Sequence, residues 1–140
     1  MDMKEIVTRV KNENFPENAY IVFGSGPMAV AGLRKVHDID LIVSRDLYTE
    51  LKRLGWREDV GSNGGRLLSR EVFEASDDWQ VGDYRPHLGQ LLTNADIIDG
   101  VAFASLRDVR EWKRAMHRDK DKADIVLIDK YFSTQAQPDE

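Results

Sequence analysis

The chain contains no cysteine. That one absence excludes disulfides, thiolate nucleophiles and cysteine-based zinc sites, and it suits a reducing compartment. An excess of basic charge is also missing. The chain has 20 Lys+Arg against 25 Asp+Glu, for a net charge of -5. A strongly basic nucleic-acid face is therefore absent from the totals, although a local patch has room to exist. No apolar run approaches the roughly 18 residues that span a bilayer. The opening MDMKEIVTRV is polar and amphipathic and has no signal-peptide core. His87 and His117 lack metal-ligand spacing, His37 beside the acidic pair suits a local hydrogen-bonding or surface residue better than a metal ligand, and there is no repeat or low-complexity linker. These absences lead us to expect a cytoplasmic protein with no membrane partner. What is present is 140 residues, 41% hydrophobic and 32% charged, enough for one domain with a core that needs no staples.

Periodicity divides the chain into short elements. Ile6, Val7 and Val10 predict a helix over Met3 to Lys11, and Ala19 to Phe23 reads as a buried strand. Gly24-Ser25-Gly26-Pro27 stops that strand, with Pro27 suited to a first helical turn and Met28 to Leu33 able to continue it. His37 to Val43 is a second strand. Ser44 can cap a helix carrying Leu47, Tyr48, Leu51 and Leu54. Trp56 to Val60 and Arg66 to Ser69 flank an Asn63-Gly64 hairpin signal. Glu71 to Ala75 reads as strand, Ser76 to Arg85 as irregular, Leu88 to Asn94 as a short helix and Val101 to Ala104 as extended. Ser105 with Asp108 marks a helix start, and Lys120 to Phe132 forms the last helix. The expectation is an α/β (α+β) domain over 1–133, a mixed sheet flanked by helices, with 134–140 as a frayed tail.

The chemistry concentrates at Gly24-Ser25 and Asp38-Ile39-Asp40. Residues two apart on a strand share a face, so Asp38 and Asp40 project together while Ile39 and Leu41 point away. Two carboxylates on one face repel unless a cation intervenes, and Mg²⁺ or Mn²⁺ prefers such oxygen donors. The Gly-Ser turn at a helix start offers free N–H groups, a hydroxyl and a close backbone approach to an anion. A phosphate site joined to a divalent-metal site suits a metal-bound nucleoside triphosphate.

Ile21 to Val43 (IVFGSGPMAVAGLRKVHDIDLIV) resembles the nucleotidyltransferase superfamily, whose signature is an apolar strand, Gly-Ser, a short helix and Asp-x-Asp among apolar residues. Trp112-Lys113 and Arg118 to Ile125 (RDKDKADI) are similar to a later pattern in small bacterial members, some of them from abortive-infection and toxin–antitoxin systems. The resemblance implies a nucleotidyltransferase-type sheet and transfer of a nucleoside monophosphate from a triphosphate to an acceptor hydroxyl. It implies Asp38, Asp40 and a third acid as metal-binding and catalytic residues, with Gly24, Ser25, Lys113 and Lys120 on the nucleotide. The third acid is Glu71 or Glu74. The two face opposite sides of one strand, and Glu71 is assigned because Glu-Val-Phe followed at a distance by Trp79 resembles the smaller members. The acceptor is not specified. The short chain leaves no room for a separate acceptor domain, so a homodimer or a small helical partner is expected to complete the protein.

Plainer readings stand beside these. Asp-x-Asp is often an exposed strand edge, and Ser25 can be a simple helix cap. Lys113, Arg118, Lys120 and Lys122 can form a solvated face paired with Asp119, Asp121 and Asp124. Trp56, Trp79 and Trp112 suit a core. The whole chain can be a catalytically inactive binding module, such as one component of a toxin–antitoxin pair. A P-loop or Rossmann protein is set aside, because Gly24-Ser25-Gly26 fits neither fingerprint.

Overall fold

The computed structural model describes residues 1–61 and 64–136. In chain order the elements are α1 (Met3–Glu13), β1 (Tyr20–Phe23), α2 (Gly26–Val30), β2 (Ile39–Val43), α3 (Arg45–Arg53), β3 (Arg57–Val60) and β4 (Arg66–Arg70). They continue as β5 (Phe73–Ser76), α4 (Leu88–Thr93), β6 (Asp96–Ile98), β7 (Val101–Phe103), α5 (Leu106–Met116) and α6 (Asp119–Ala136). The strands form one mixed sheet in the order β3-β4-β5-β2-β1-β7-β6. At its centre β1 and β2 are antiparallel, while β2 pairs in parallel with β5 and β1 in parallel with β7.

Strand alternation sets the two cores. Tyr20 and Val22 of β1, Ile39, Leu41 and Val43 of β2, and Phe73 and Ala75 of β5 face one cluster, which Ile6, Val7 and Val10 of α1 and Leu47 and Leu51 of α3 complete. The intervening Ile21, Phe23 and Ile42 face a second cluster with Val109 and Trp112 of α5, Ile128 of α6 and Leu91 of α4. Helices therefore cover both faces of the sheet, as central strands buried on both sides require. Asp40 and Glu74 take the positions in register with Ile42 and Ser76, so they belong to the α5–α6 face.

The helix starts follow side-chain capping. Asp2 accepts from the Glu5 N–H, Ser44 from the Leu47 N–H and Ser105 from the Asp108 N–H, each satisfying a donor that the first helical turn leaves open. No helix among the described residues is long and apolar enough to cross a membrane.

Four expectations change. The strand placed at His37 to Val43 starts only at Ile39, so Asp38 precedes it and does not share a strand face with Asp40. The strand placed at Glu71 to Ala75 starts only at Phe73, and Glu71 occupies the preceding turn at φ 53. Strand β6 has no counterpart in the sequence reading. Its signal is the two-residue turn Asp99-Gly100, with φ of 49 and 81, the pattern of a type I′ hairpin. The last helix runs through Ala136, so 134–136 are helical where a frayed tail was expected, and 137–140 lie outside the described residues. Asn63 of the expected hairpin turn also lies outside them, although β3 and β4 pair antiparallel on either side of it.

Candidate active site

β1 ends on Phe23, and the chain turns at Gly24 with φ +59. A side chain there would be strained by the left-handed backbone and would also collide with Asp40. A Cβ built on Gly24 lies 2.2 Å from Asp40 Oδ2. Gly24 is thus required by the carboxylate across the β1–β2 pair, a steric reason separate from the phosphate approach expected from the sequence.

Ser25 is not a helix cap, because its side chain makes no capping hydrogen bond. α2 has five residues, too few to sum a large dipole. The positive character around Ser25 comes from side chains. Its Oγ accepts from Lys113 Nζ at 3.0 Å and from Arg34 Nη2 at 2.8 Å. Both cations also donate to Asp124, Lys113 at 2.9 Å and Arg34 through Nε and Nη2 at 2.9 Å each.

The expectation of a solvated α5–α6 face therefore fails at its inner half. Lys113 is 2% exposed, and Asp121 and Asp124 are buried. Burial pushes the Lys113 ammonium down, opposed chiefly by its hydrogen bond to Asp124. Asp124 is held below the usual carboxylate range by Arg34 and Lys113, which outweigh its own burial. Asp121 takes the Arg118 backbone N–H, Nε and Nη2, fixing the corner that follows His117 between the two helices. Lys120 stays exposed but borders the same cleft.

The carboxylates stand opposite. Asp40 and Glu74 are register partners on the parallel strands β2 and β5, side by side on one face at the spacing of adjacent strands. Asp38 lies just before β2 and is exposed at the mouth of the cleft. Burial raises the Asp40 carboxyl from 3.8 to about 7, helped by the charges of Glu74 and Asp38 and by a hydrogen bond with Glu74, and opposed by Lys113. Glu74, the alternative that was weighed and not assigned, is the acid in position. Glu71 is exposed in its turn and outside the cleft. Its position follows from the β4–β5 connection. Arg70 pairs directly with Phe73, so Glu71 and Val72 form the tight turn between them.

These groups line one cleft of about 510 Å³, bounded by Ser25, Arg34, Asp38, Asp40, Glu74 and Lys113, with Arg66, Trp79, Trp112, Arg118 and Lys120 further out. Trp79 and Trp112 line it, and Phe23 packs behind them. Phe23, Trp79 and Trp112 are mutually edge-on, with centroids 5.2 to 5.5 Å apart. Trp79 Nε1 donates to the Leu41 carbonyl at 3.2 Å, which ties the irregular segment after β5 down over the sheet. Lys113 Nζ and the Arg118 guanidinium each lie 5.5 Å from the Trp112 ring centroid, a favourable cation–π position. Trp112 is core in one sense, as the sequence suggested, yet it also backs the two cations.

Of the sequence-assigned residues, the cleft gathers Ser25, Asp38, Asp40, Lys113 and Lys120, with Gly24 directly behind Asp40; Glu71 is left out. Arg34 was missed. A single arginine between two motifs carries no periodic signal, and its role depends on α6 passing beside it. The donor set suits a hard divalent cation in kind: three carboxylates, one of them raised by burial and by like charge. Among the described residues, however, no three His, Asp or Glu form a group ready to hold a metal ion. Two protein donors and the phosphates of a substrate are the set such a cation would have to use.

The chain matches no protein-family model, no curated protein and no solved structure.

Proposed function

We propose that this chain transfers a nucleoside monophosphate from a nucleoside triphosphate to an acceptor hydroxyl, with Asp40 and Glu74 at the reacting centre and Ser25, Lys113 and Lys120 on the phosphates. The observation that carries this is the opposition, within one cleft, of paired carboxylates on β2 and β5 and, around Ser25, the buried Lys113 and half-buried Arg34. A triphosphate needs positive charge along its tail, and the acceptor needs a proton-accepting group near the α-phosphorus.

The chain's own groups divide the work. Ser25 and Lys113 anchor the terminal phosphates and hold the tail against the β1–α2 turn. Glu74 orients the acceptor hydroxyl and takes its proton. The acceptor oxygen then forms a bond to the α-phosphorus, the bridging P–O bond breaks, and pyrophosphate leaves toward the cations. Asp40, half-buried against Gly24, is held in place by that contact and by β2, which limits reorganisation during the reaction. Two of Asp38, Asp40 and Glu74, together with phosphate oxygens of the triphosphate, would hold Mg²⁺ or Mn²⁺, which when bound would neutralise phosphate charge and align the leaving group.

The test is incubation with α-labelled triphosphates and candidate acceptors, comparing the parent chain with Asp40→Asn and Glu74→Gln. Each variant is expected to lose transfer by at least about a hundredfold, with Glu71→Gln unaffected. Transfer that survives both substitutions refutes the assignment. That no three acids or histidines among the described residues form a metal-holding group favours one second reading, a domain that binds nucleotide without transferring it. Metal-dependent triphosphate binding with no labelled product in any acceptor mixture would select that reading.

A further inference from the structure

Arg34 lies between Gly24-Ser25 and Asp38-Ile39-Asp40 with no role assigned to it from the sequence, yet it is bound into the cleft from two sides. Its guanidinium grips both oxygens of Asp124, and Nη2 donates to Ser25 Oγ as well. Lys113 repeats the pattern from α5, reaching Asp124 Oδ2 and Ser25 Oγ. A serine hydroxyl has two lone pairs and one hydrogen. Here both lone pairs face cations. The hydrogen must therefore point away from Arg34 and Lys113, and Ser25 borders the open cleft. Asp121 also lies 3.9 Å from Lys113 Nζ and is itself paired with Arg118, so the cluster of Arg34, Lys113 and Arg118 with Asp121 and Asp124 keeps one net positive charge.

We propose that Arg34 is a binding residue and Asp124 a positioning residue of a polyphosphate subsite. Asp124 clamps the guanidinium and the ammonium onto Ser25 Oγ, leaving an oriented O–H donor between two cations for an anionic phosphate oxygen. This rests on the reading of the cleft as a triphosphate site, and it adds the device that organises that site. Only an arginine can span both Asp124 oxygens and still reach Ser25, because its donors sit in a rigid fork. The ion pair has a further consequence. Asp124 keeps the Lys113 proton in place, so Lys113 serves as a donor to Ser25 and not as a base upon it.

The experiment is calorimetric titration of the full chain with inorganic triphosphate at low ionic strength, without metal or nucleoside. The parent is expected to bind. Ser25→Ala and Asp124→Asn should each weaken binding by roughly tenfold or more, the worth of one hydrogen bond to a charged group. Because Asp124 acts largely through the Ser25 hydroxyl, the double variant should lose much less than the product of the two single losses. If Asp124 were only a competing counter-ion, Asp124→Asn would bind triphosphate more tightly, and that result overturns the proposal. Fully multiplicative losses overturn it too, as does a parent chain that does not bind. Arg34→Lys gives a second route that spares the buried pair. It should bind about tenfold less tightly with an unchanged melting temperature, and parent-like affinity refutes the role of the guanidinium. Nucleotide transfer is scored in a separate assay. Intact triphosphate binding without transfer removes the transferase reading and leaves the subsite standing.

Discussion

Asp40→Asn should make the protein more stable above neutral pH. The Asp40 carboxyl is raised from 3.8 to about 7 by burial and by the neighbouring charges of Glu74 and Asp38. At 1.36 kcal/mol per unit, holding it ionised in the folded state costs at most about 4 kcal/mol. A carboxamide of the same shape removes the charge, but its amide is incompletely satisfied, at a cost of about 1–3 kcal/mol. The net gain is then about 2 kcal/mol. For a domain of this size that corresponds to a rise of about 6 °C in melting temperature. The pH dependence has a definite sign. A folded-state pKa above the unfolded one means that the folded chain binds more protons. The parent therefore loses stability as pH rises from near 4 through about 7, whereas the variant does not. Calorimetric melting at about pH 5 and about pH 8 checks this, since the advantage of Asp40→Asn should be small at the first and near its full value at the second. Millimolar magnesium at the higher pH should raise the parent's melting temperature and leave the variant unmoved. A variant that is less stable at both pH values, or equally changed at both, refutes the account of Asp40 as a destabilised carboxylate.

Two further outcomes follow from the turns beside it. Gly24→Ala should cost at least about 2 kcal/mol in urea unfolding, because it adds a left-handed side chain and places a Cβ on Asp40 Oδ2. Pairing it with Asp40→Ala should recover part of that loss, and full additivity would sink the steric explanation. Glu71→Gly should leave stability unchanged or raise it by up to about 1 kcal/mol, since φ 53 favours glycine. It should also leave metal-dependent nucleotide binding intact, and a loss of binding would return Glu71 to the site.

The sequence by itself determined the elements that local physics controls. The alternation in IVF and IDLIV set two buried strands with Asp40 opposite Ile39 and Leu41, because the strand period is two. Ser44 and Ser105 marked helix starts because a cap acts on its own next residues. Gly24 was legible as a necessary glycine, but its contact with Asp40 was not. Tertiary structure decided everything that needs two distant segments in one place. Glu71 and Glu74 are three residues apart in the chain, and only the parallel register of β5 on β2, Glu74 beside Asp40, chooses between them. A strand start shifted by two residues put Glu71 into a turn. Arg34 and Asp124 meet at 2.9 Å across 90 residues, a separation over which no periodicity acts. The charge run on α5 and α6 looked like a solvated face, because helical spacing alone cannot say which side a neighbouring helix covers. Packing of α6 against α5 buried Lys113, Asp121 and Asp124, and so turned a surface pattern into the cationic wall of the cleft.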